Sequence, residues 1–393
     1  MQHLNFEPAL WCKPVEESLL QHHYEAGDFF HSLKIHGRHP LAHREVESCD
    51  IAIIGLGEYR GGCAGSEAIQ QAADVWRKHF YRLKTHHNHY QIVDLGNLIM
   101  GDTLEDTYTR LHMVCEQLLR MKTLPLIVGG THDLLYGQFR AFERLEQMIT
   151  LANIDAVVDL GEEKAPPCKQ HLYKVLMHQP NYIFDFVQLG HQAYLNDAKT
   201  LEVLEKLNFS VLSLGQMRND WLEVEPLIRG AQLVAFDLKA MSSLAAPGHG
   251  AGHLFGFSGE EACHLAWFAG LSPNVRSVGF YEFNPQKDPS GQTAFLLATM
   301  VWYFVDGFYR RRPVNFQSED FIHYRVPIGK GKQVYELHFY KQQTTEMWWV
   351  EVPYSRSDVF TEPHYLPCSY KDYQHALEGE VPERWIQASA KLL

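Results

Sequence analysis

Acids and an imidazole recur at the ends of short apolar runs in this chain. His132 follows Leu124-Pro-Leu-Ile-Val-Gly-Gly130, and Asp155 closes the run from Met148, with Asp159 shortly after it. Asp237 closes Gln232-Leu-Val-Ala-Phe-Asp237, and Glu282 closes the run from Val275. Carboxylates brought together repel one another unless a cation sits among them. A shared cation site is therefore the chemistry this set would serve; a helix cap or turn is the ordinary role of any single loop aspartate. Lys239, two residues after Asp237, is a rival source of the positive charge.

The runs that carry these residues are short enough for strands buried on both faces, and Asp50 to Gly57 and Tyr182 to Gly190 are of the same kind. Between the runs, Asp106 to Lys122, Thr200 to Leu207, Gly259 to Ala269 and Thr293 to Tyr309 have the pattern of amphipathic helices. Strand and helix alternate, which predicts an α/β fold: a three-layer α/β/α sandwich around a mostly parallel sheet. In such sheets working residues gather at the carboxyl ends of the strands. Alternation of Val234, Phe236 and Leu238 would place Asp237 and Lys239 on one face of a strand.

Residues 1–45 read as an N-terminal extension and residues 46–312 as the α/β domain. After Arg310-Arg-Arg-Pro313 the chain becomes rich in aromatics, and residues 313–393 read as a β-rich extension packed on the main domain. Gln333 to Tyr340 and Met347 to Pro353 alternate as in a hairpin or small antiparallel sheet, with short helices near Tyr370 to Leu377 and Pro382 to Leu392. Trp348, Trp349 and the aromatics from Tyr365 to Tyr373 fit packing or an oligomer contact better than a ligand cage.

With 393 residues, 46% of them hydrophobic, the chain can bury a sizeable core. A net charge of -12, with no Lys/Arg run that offers a phosphate-binding footprint, argues against a nucleic-acid partner. The seven cysteines are dispersed, with no CxxC pair, and read as free thiols in a reducing compartment. Neither a signal-peptide core nor a membrane-length apolar window is present. A cytoplasmic protein with no membrane partner is the expectation.

Three segments resemble the signatures of the ureohydrolase family, which includes arginases, agmatinases and formimidoylglutamases. Gly129-Gly-Thr-His-Asp133 resembles Gly-Gly-Asp-His-Ser, with His132 at the metal-binding His. Asp155-Ala-Val-Val-Asp159 resembles Asp-Ala-His-x-Asp, with Val157 at the His. Ala235 to Gly248 resembles Ser-x-Asp-x-Asp-x-x-Asp-Pro-x-x-Ala-Pro-Gly: Asp237 is kept, Lys239 stands at the second Asp, and Ser242-Ser243 replaces Asp-Pro. Two weaker matches are Tyr281-Glu-Phe-Asn-Pro285, where the family's Glu holds the substrate cation, and His171, at about the place of a loop His proposed to shuttle protons.

The resemblance implies an arginase-like fold over roughly residues 50 to 310 and hydrolysis of a linear amidine or guanidino C–N bond. In the family two divalent ions lower the pKa of the attacking water. Residues at the first metal are present as His132, Asp155, Asp159 and Asp237, a carboxylate-rich set that suits Mn2+. At the second metal, Val157 offers no donor and Lys239 an ammonium, so the site is expected to hold at most one ion, or none. Lys239 would then neutralise Asp155 and Asp237. By the same resemblance Glu282 binds a small cationic amidine or guanidino ligand, His171 moves protons, and the chain forms a homo-oligomer. The alternative is a catalytically inactive relative with a ligand-binding or assembly role. His249 and His253, in a Gly-rich loop, are expected to line the pocket and hold no metal.

Overall fold

The computed structural model describes residues 6–63, 66–87, 89–161, 164–329, 335–353 and 364–392. Apolar segments too short for helices become the strands of one ten-stranded sheet. They are β1 (Cys12–Lys13), β2 (Leu33–Ile35), β3 (Ile51–Leu56), β4 (Ile92–Leu98), β5 (Leu124–Gly129), β6 (Ile149–Ile154), β7 (Ile183–His191), β8 (Ser210–Ser213), β9 (Leu233–Asp237) and β10 (Ser277–Tyr281). The order is β1-β4-β3-β5-β10-β9-β6-β7-β8, with β2 also paired to β4. Every pairing is parallel except β1 with β4.

Successive residues of a strand face opposite layers, and both layers are apolar. Ile51, Ile53, Leu126 and Val128 pack under the helices Ala72–Phe80, Gly259–Leu271 and Gln292–Tyr309. Ala52, Ile54 and Ile127 face the helices Leu104–Arg120, Leu135–Glu143 and Pro167–Leu176. This is the three-layer sandwich expected from the alternation of elements. Among the described residues, no helix is long and apolar enough to cross a membrane.

Residues 1–45, read as an extension, in fact supply β1 and β2 to the main sheet. Strands of two and three residues are too short to show a period. β4 escaped the sequence reading because Asp94, Gly96 and Asn97 interrupt its apolar run. Those polar residues are used internally: Asp94 accepts two hydrogen bonds from the buried Arg77, at 2.9 and 2.8 Å.

The C-terminal segment forms its own antiparallel sheet, in the order β11 (Phe321–Ile328), β12 (Tyr335–Gln342), β13 (Trp348–Val352) and β14 (His364–Cys368). Residues 333–334 of the expected hairpin lie outside the described residues. One face, with Leu337, Phe339, Trp348 and Val350, packs with the helix Tyr370–Leu377, and Trp348 stacks on Tyr373 at 4.8 Å. Arg229 ties this sheet to the main domain, donating to the carbonyls of Trp348 (3.1 Å) and Cys368 (3.2 Å) while lying 4.4 Å over the Trp349 ring. Trp348 and Trp349 are buried as packing elements, one of the two roles expected for these aromatics.

Candidate metal centre

Four adjacent central strands, β5, β10, β9 and β6, end on the same edge of the sheet and deliver His132, Glu282, Asp237 and Asp155 there. After β5 the chain turns through Gly129 and Gly130 at φ +92° and +74°, where side chains are strained. A Cβ on Gly129 would also stand 2.7 Å from the Leu56 carbonyl. The turn returns His132 over the strand ends. There its backbone N–H donates to Glu282 Oε1 at 3.1 Å, and the Glu282 N–H donates to the Gly130 carbonyl at 2.9 Å. Glu282 itself adopts φ +67°, a left-handed conformation costing a non-glycine residue roughly 1–2 kcal/mol.

His132, Asp155 and Asp237 are each at most 1% exposed. His132 Nδ1 lies 3.3 Å from Asp155 Oδ2 and 3.1 Å from Asp237 Oδ2. Neither approach has the direction of a hydrogen bond, so both imidazole nitrogens and both Oδ2 atoms remain buried without one. Burial alone would lower the His132 pKa; Asp155 and Asp237 reverse this and hold it at about 10. Burial and the neighbouring Asp237 push Asp155 up, and burial with the charge of Asp155 pushes Asp159 well up. Burial would raise Asp237 too, but Lys239 and His132 keep it below the usual carboxylate range.

Lys239 is not on the strand. β9 stops at Asp237, and Leu238–Ala240 make a 3-10 turn because the Lys239 N–H donates to Asp237 Oδ1 at 2.6 Å. The ammonium nevertheless reaches back to the cluster, 3.1 Å from Glu282 Oε1 and 3.6 Å from Asp237 Oδ2. Of the two carboxylates expected to pair with Lys239, Asp237 does so and Asp155 does not among the described residues; the shortest contact is to Glu282, because the turn carries the ammonium toward the end of β10. Burial works against its charge, and Asp237 and Glu282 more than offset this, so its pKa is raised. Val157 contributes its backbone N–H, which donates to Asp155 Oδ1 at 3.1 Å.

His171 lies on the helix Pro167–Leu176, not on a loop, with its ring centroid 4.4 Å from that of His132. It is 1% exposed, and neither ring nitrogen has a hydrogen-bond partner. Potential ligand atoms form two groups, His132 with Asp155 and Asp237, and His132 with Asp159 and His171. Within each group these atoms lie within 4.8 Å of one another. His249 is buried nearby, Nδ1 accepting from the Ala251 N–H at 2.9 Å; His253 stands 6.0 Å from it, ring to ring.

Two further features at the site are not legible in the sequence. Cys63 and Cys168 form a disulfide, with Cα atoms 5.5 Å apart. This overturns the expectation of seven free thiols; the other five cysteines are free and buried. Their separation of 105 residues leaves no local spacing signal. The bond ties the loop after β3 to the helix that carries His171. Asp133 is the second feature: Tyr108 donates to its carboxylate at 2.5 Å, and Gly61 passes so close that a Cβ would stand 2.0 Å from it. Gly61 and Gly62 resemble, loosely, the family's glycine-rich first loop, of which residues 64–65 lie outside the described residues.

The buried donors are of the types that hold a divalent ion. At the positions of the family's second ion, Val157 offers no side-chain donor, and the Lys239 ammonium stands beside Asp237 and Glu282.

A sequence model of the arginase family matches residues 50–306. The chain is 26% identical over 225 residues to a formimidoylglutamase of Lysinibacillus sphaericus, covering 54% of this chain and 69% of that protein. It is 24% identical over 269 residues to one of Macrococcus caseolyticus, covering 66% and 86%. Among solved structures, Trypanosoma cruzi formiminoglutamase with Mn2+ superposes with a TM-score of 0.62 at 22% identity, over 68% of this chain and 95% of that one. The agmatine ureohydrolase of Thermoplasma volcanium gives 0.56 at 17% identity, over 67% and 92%. These likenesses show the fold. The match to the family model spans most of the chain, from the strand before the glycine loop to the last helix of the sandwich, and the chain belongs to the arginase family.

Proposed function

We propose that the chain hydrolyses a C–N bond of a linear amidine, in the manner of a formimidoylglutamase, at a site that holds one divalent ion. The observation that carries this reading is the set of buried atoms on His132, Asp155 and Asp237 that approach one another but make no hydrogen bond. Buried polar atoms are normally hydrogen-bonded, and a cation would satisfy these together. His132, Asp155, Asp159 and Asp237 would hold the ion; when bound, it lowers the pKa of water and polarises the amidine. Mn2+ suits these hard oxygen donors, and several of the similar solved structures hold it.

Glu282 would orient the amidinium group of the substrate. Its Oε1 already faces Lys239 at 3.1 Å, so a bound amidinium would share or displace that ammonium. The same pair supports the second reading, an inactive relative in which Lys239 stands in for both the second ion and the substrate cation. A homo-oligomeric state and a cytoplasmic location belong to the same proposal.

The test is turnover. Mn2+-loaded protein is incubated with formimidoylglutamate, agmatine or arginine, and release of the amine product is measured. Hydrolysis of formimidoylglutamate above a metal-free control, lost in Glu282→Gln, is expected. Metal-loaded protein that turns over none of the three would select the inactive relative.

A further inference from the structure

The two sides of the acidic cluster differ in what balances them. On one side the Lys239 ammonium stands against Glu282 and Asp237. Asp159 and His171, which group with His132, make no ion pair with Lys239 among the described residues. His171 is enclosed to 1% exposure with neither ring nitrogen hydrogen-bonded, its ring 4.4 Å from that of the equally buried His132. Enclosing an imidazole in this way costs about 1–3 kcal/mol unless something takes its lone pair.

We propose that His171 is a metal ligand, the second imidazole of a one-ion site formed with His132 and Asp159, replacing the imidazole that Val157 lacks. The inference rests on the one-ion reading above and changes its donor set. Donors about 2.1 Å from a shared ion lie up to about 4.2 Å apart, so a group of atoms within 4.8 Å needs at most a small contraction. The helix Pro167–Leu176 holds His171 in place, and Cys168, three residues earlier on it, is tied to Cys63 across the site. Lys239 pairs with Asp237 and Glu282, and His132, Asp159 and His171 form a ligand group that contains neither. Two imidazoles also widen the choice of ion from Mn2+ toward Zn2+, Co2+ and Ni2+.

The experiment is pulsed electron paramagnetic resonance of the full chain loaded with Mn2+, counting nitrogens bonded to the ion, alongside Mn2+ titration. Two directly bound nitrogens are expected in the unmodified protein. One is expected in His171→Gln, with Mn2+ affinity weakened on the order of tenfold or more, since even outer-shell changes cost 10–100-fold. One nitrogen in the unmodified protein overturns the inference and leaves the one-ion reading standing. Failure to bind Mn2+ at all overturns both. If His171→Gln does not fold, the spectrum of the unmodified protein still decides.

Discussion

Two buried clusters of acids and a cation sit on the same sheet, and they are built to opposite rules. Around Arg77, the guanidinium donates to Asp94 through Nε (2.9 Å) and Nη2 (2.8 Å), to Asp74 (2.9 Å) and Asn97 (2.6 Å) through Nη1, and to the Gly96 carbonyl (3.0 Å). Tyr81 and the Gly96 N–H complete the shell of Asp94, each at 2.9 Å. At the strand ends, by contrast, His132, Asp155, Asp237 and His171 all keep buried atoms with no hydrogen bond. A saturated cluster holds a fold together; an unsaturated one at the carboxyl edge of a sheet is poised for a ligand.

The largest expected effect comes from breaking the saturated cluster. Arg77→Met leaves Asp94 buried and uncompensated and should cost about 3–5 kcal/mol in urea unfolding. Asp155→Asn in metal-free protein relieves repulsion with Asp237 and should cost less than about 1 kcal/mol, or stabilise. Equal losses would erase the distinction between the clusters.

Next in size is the covalent tie at the rim of the unsaturated site. Cys63→Ser should lower stability by about 2–4 kcal/mol. Thiol titration of the unreduced, denatured protein should find the five free cysteines rather than seven. Seven would remove the tie from the account.

A smaller effect sharpens the role of Lys239. Lys239→Met removes a like charge beside the ion and should raise Mn2+ affinity about tenfold, or about 1.4 kcal/mol, by calorimetric titration. Unchanged affinity would mean that the ammonium stands clear of the ion.

The smallest effect is a pH dependence. Burial brings His249 down from 6.5 to about 4, so the folded state prefers it neutral. Its contribution is fully present above the unfolded value of 6.5 and is lost as pH falls from there toward about 4. By about pH 5.5 the loss should reach about 1 kcal/mol, and His249→Asn should flatten that part of the stability curve.

Much of this site was legible because apolar strands end abruptly in glycine or acid. The runs before His132, Asp155, Asp237 and Glu282 are buried on both faces in a parallel sheet, so strand ends and chemistry coincide in sequence. What misled was local. The alternation of Val234, Phe236 and Leu238 runs past the end of β9, whereas the hydrogen bond from the Lys239 N–H to Asp237 Oδ1 closes a turn there. Glu282 could be read as a partner of Lys239 only once β9 and β10 were known to be neighbours. For His171, Pro167 at the first helical position was an available signal of a helix start. Nothing local announces the pairing of Cys63 with Cys168, or a strand such as β4 whose buried polar residues serve Arg77.

The most direct test of the account is the number of ions per chain, by elemental analysis after purification in manganese and exhaustive dialysis. One ion per chain, lost in His132→Ala, is the predicted result. Two ions would contradict the reading of Val157 and Lys239, and none would mean that Lys239 alone balances the acids.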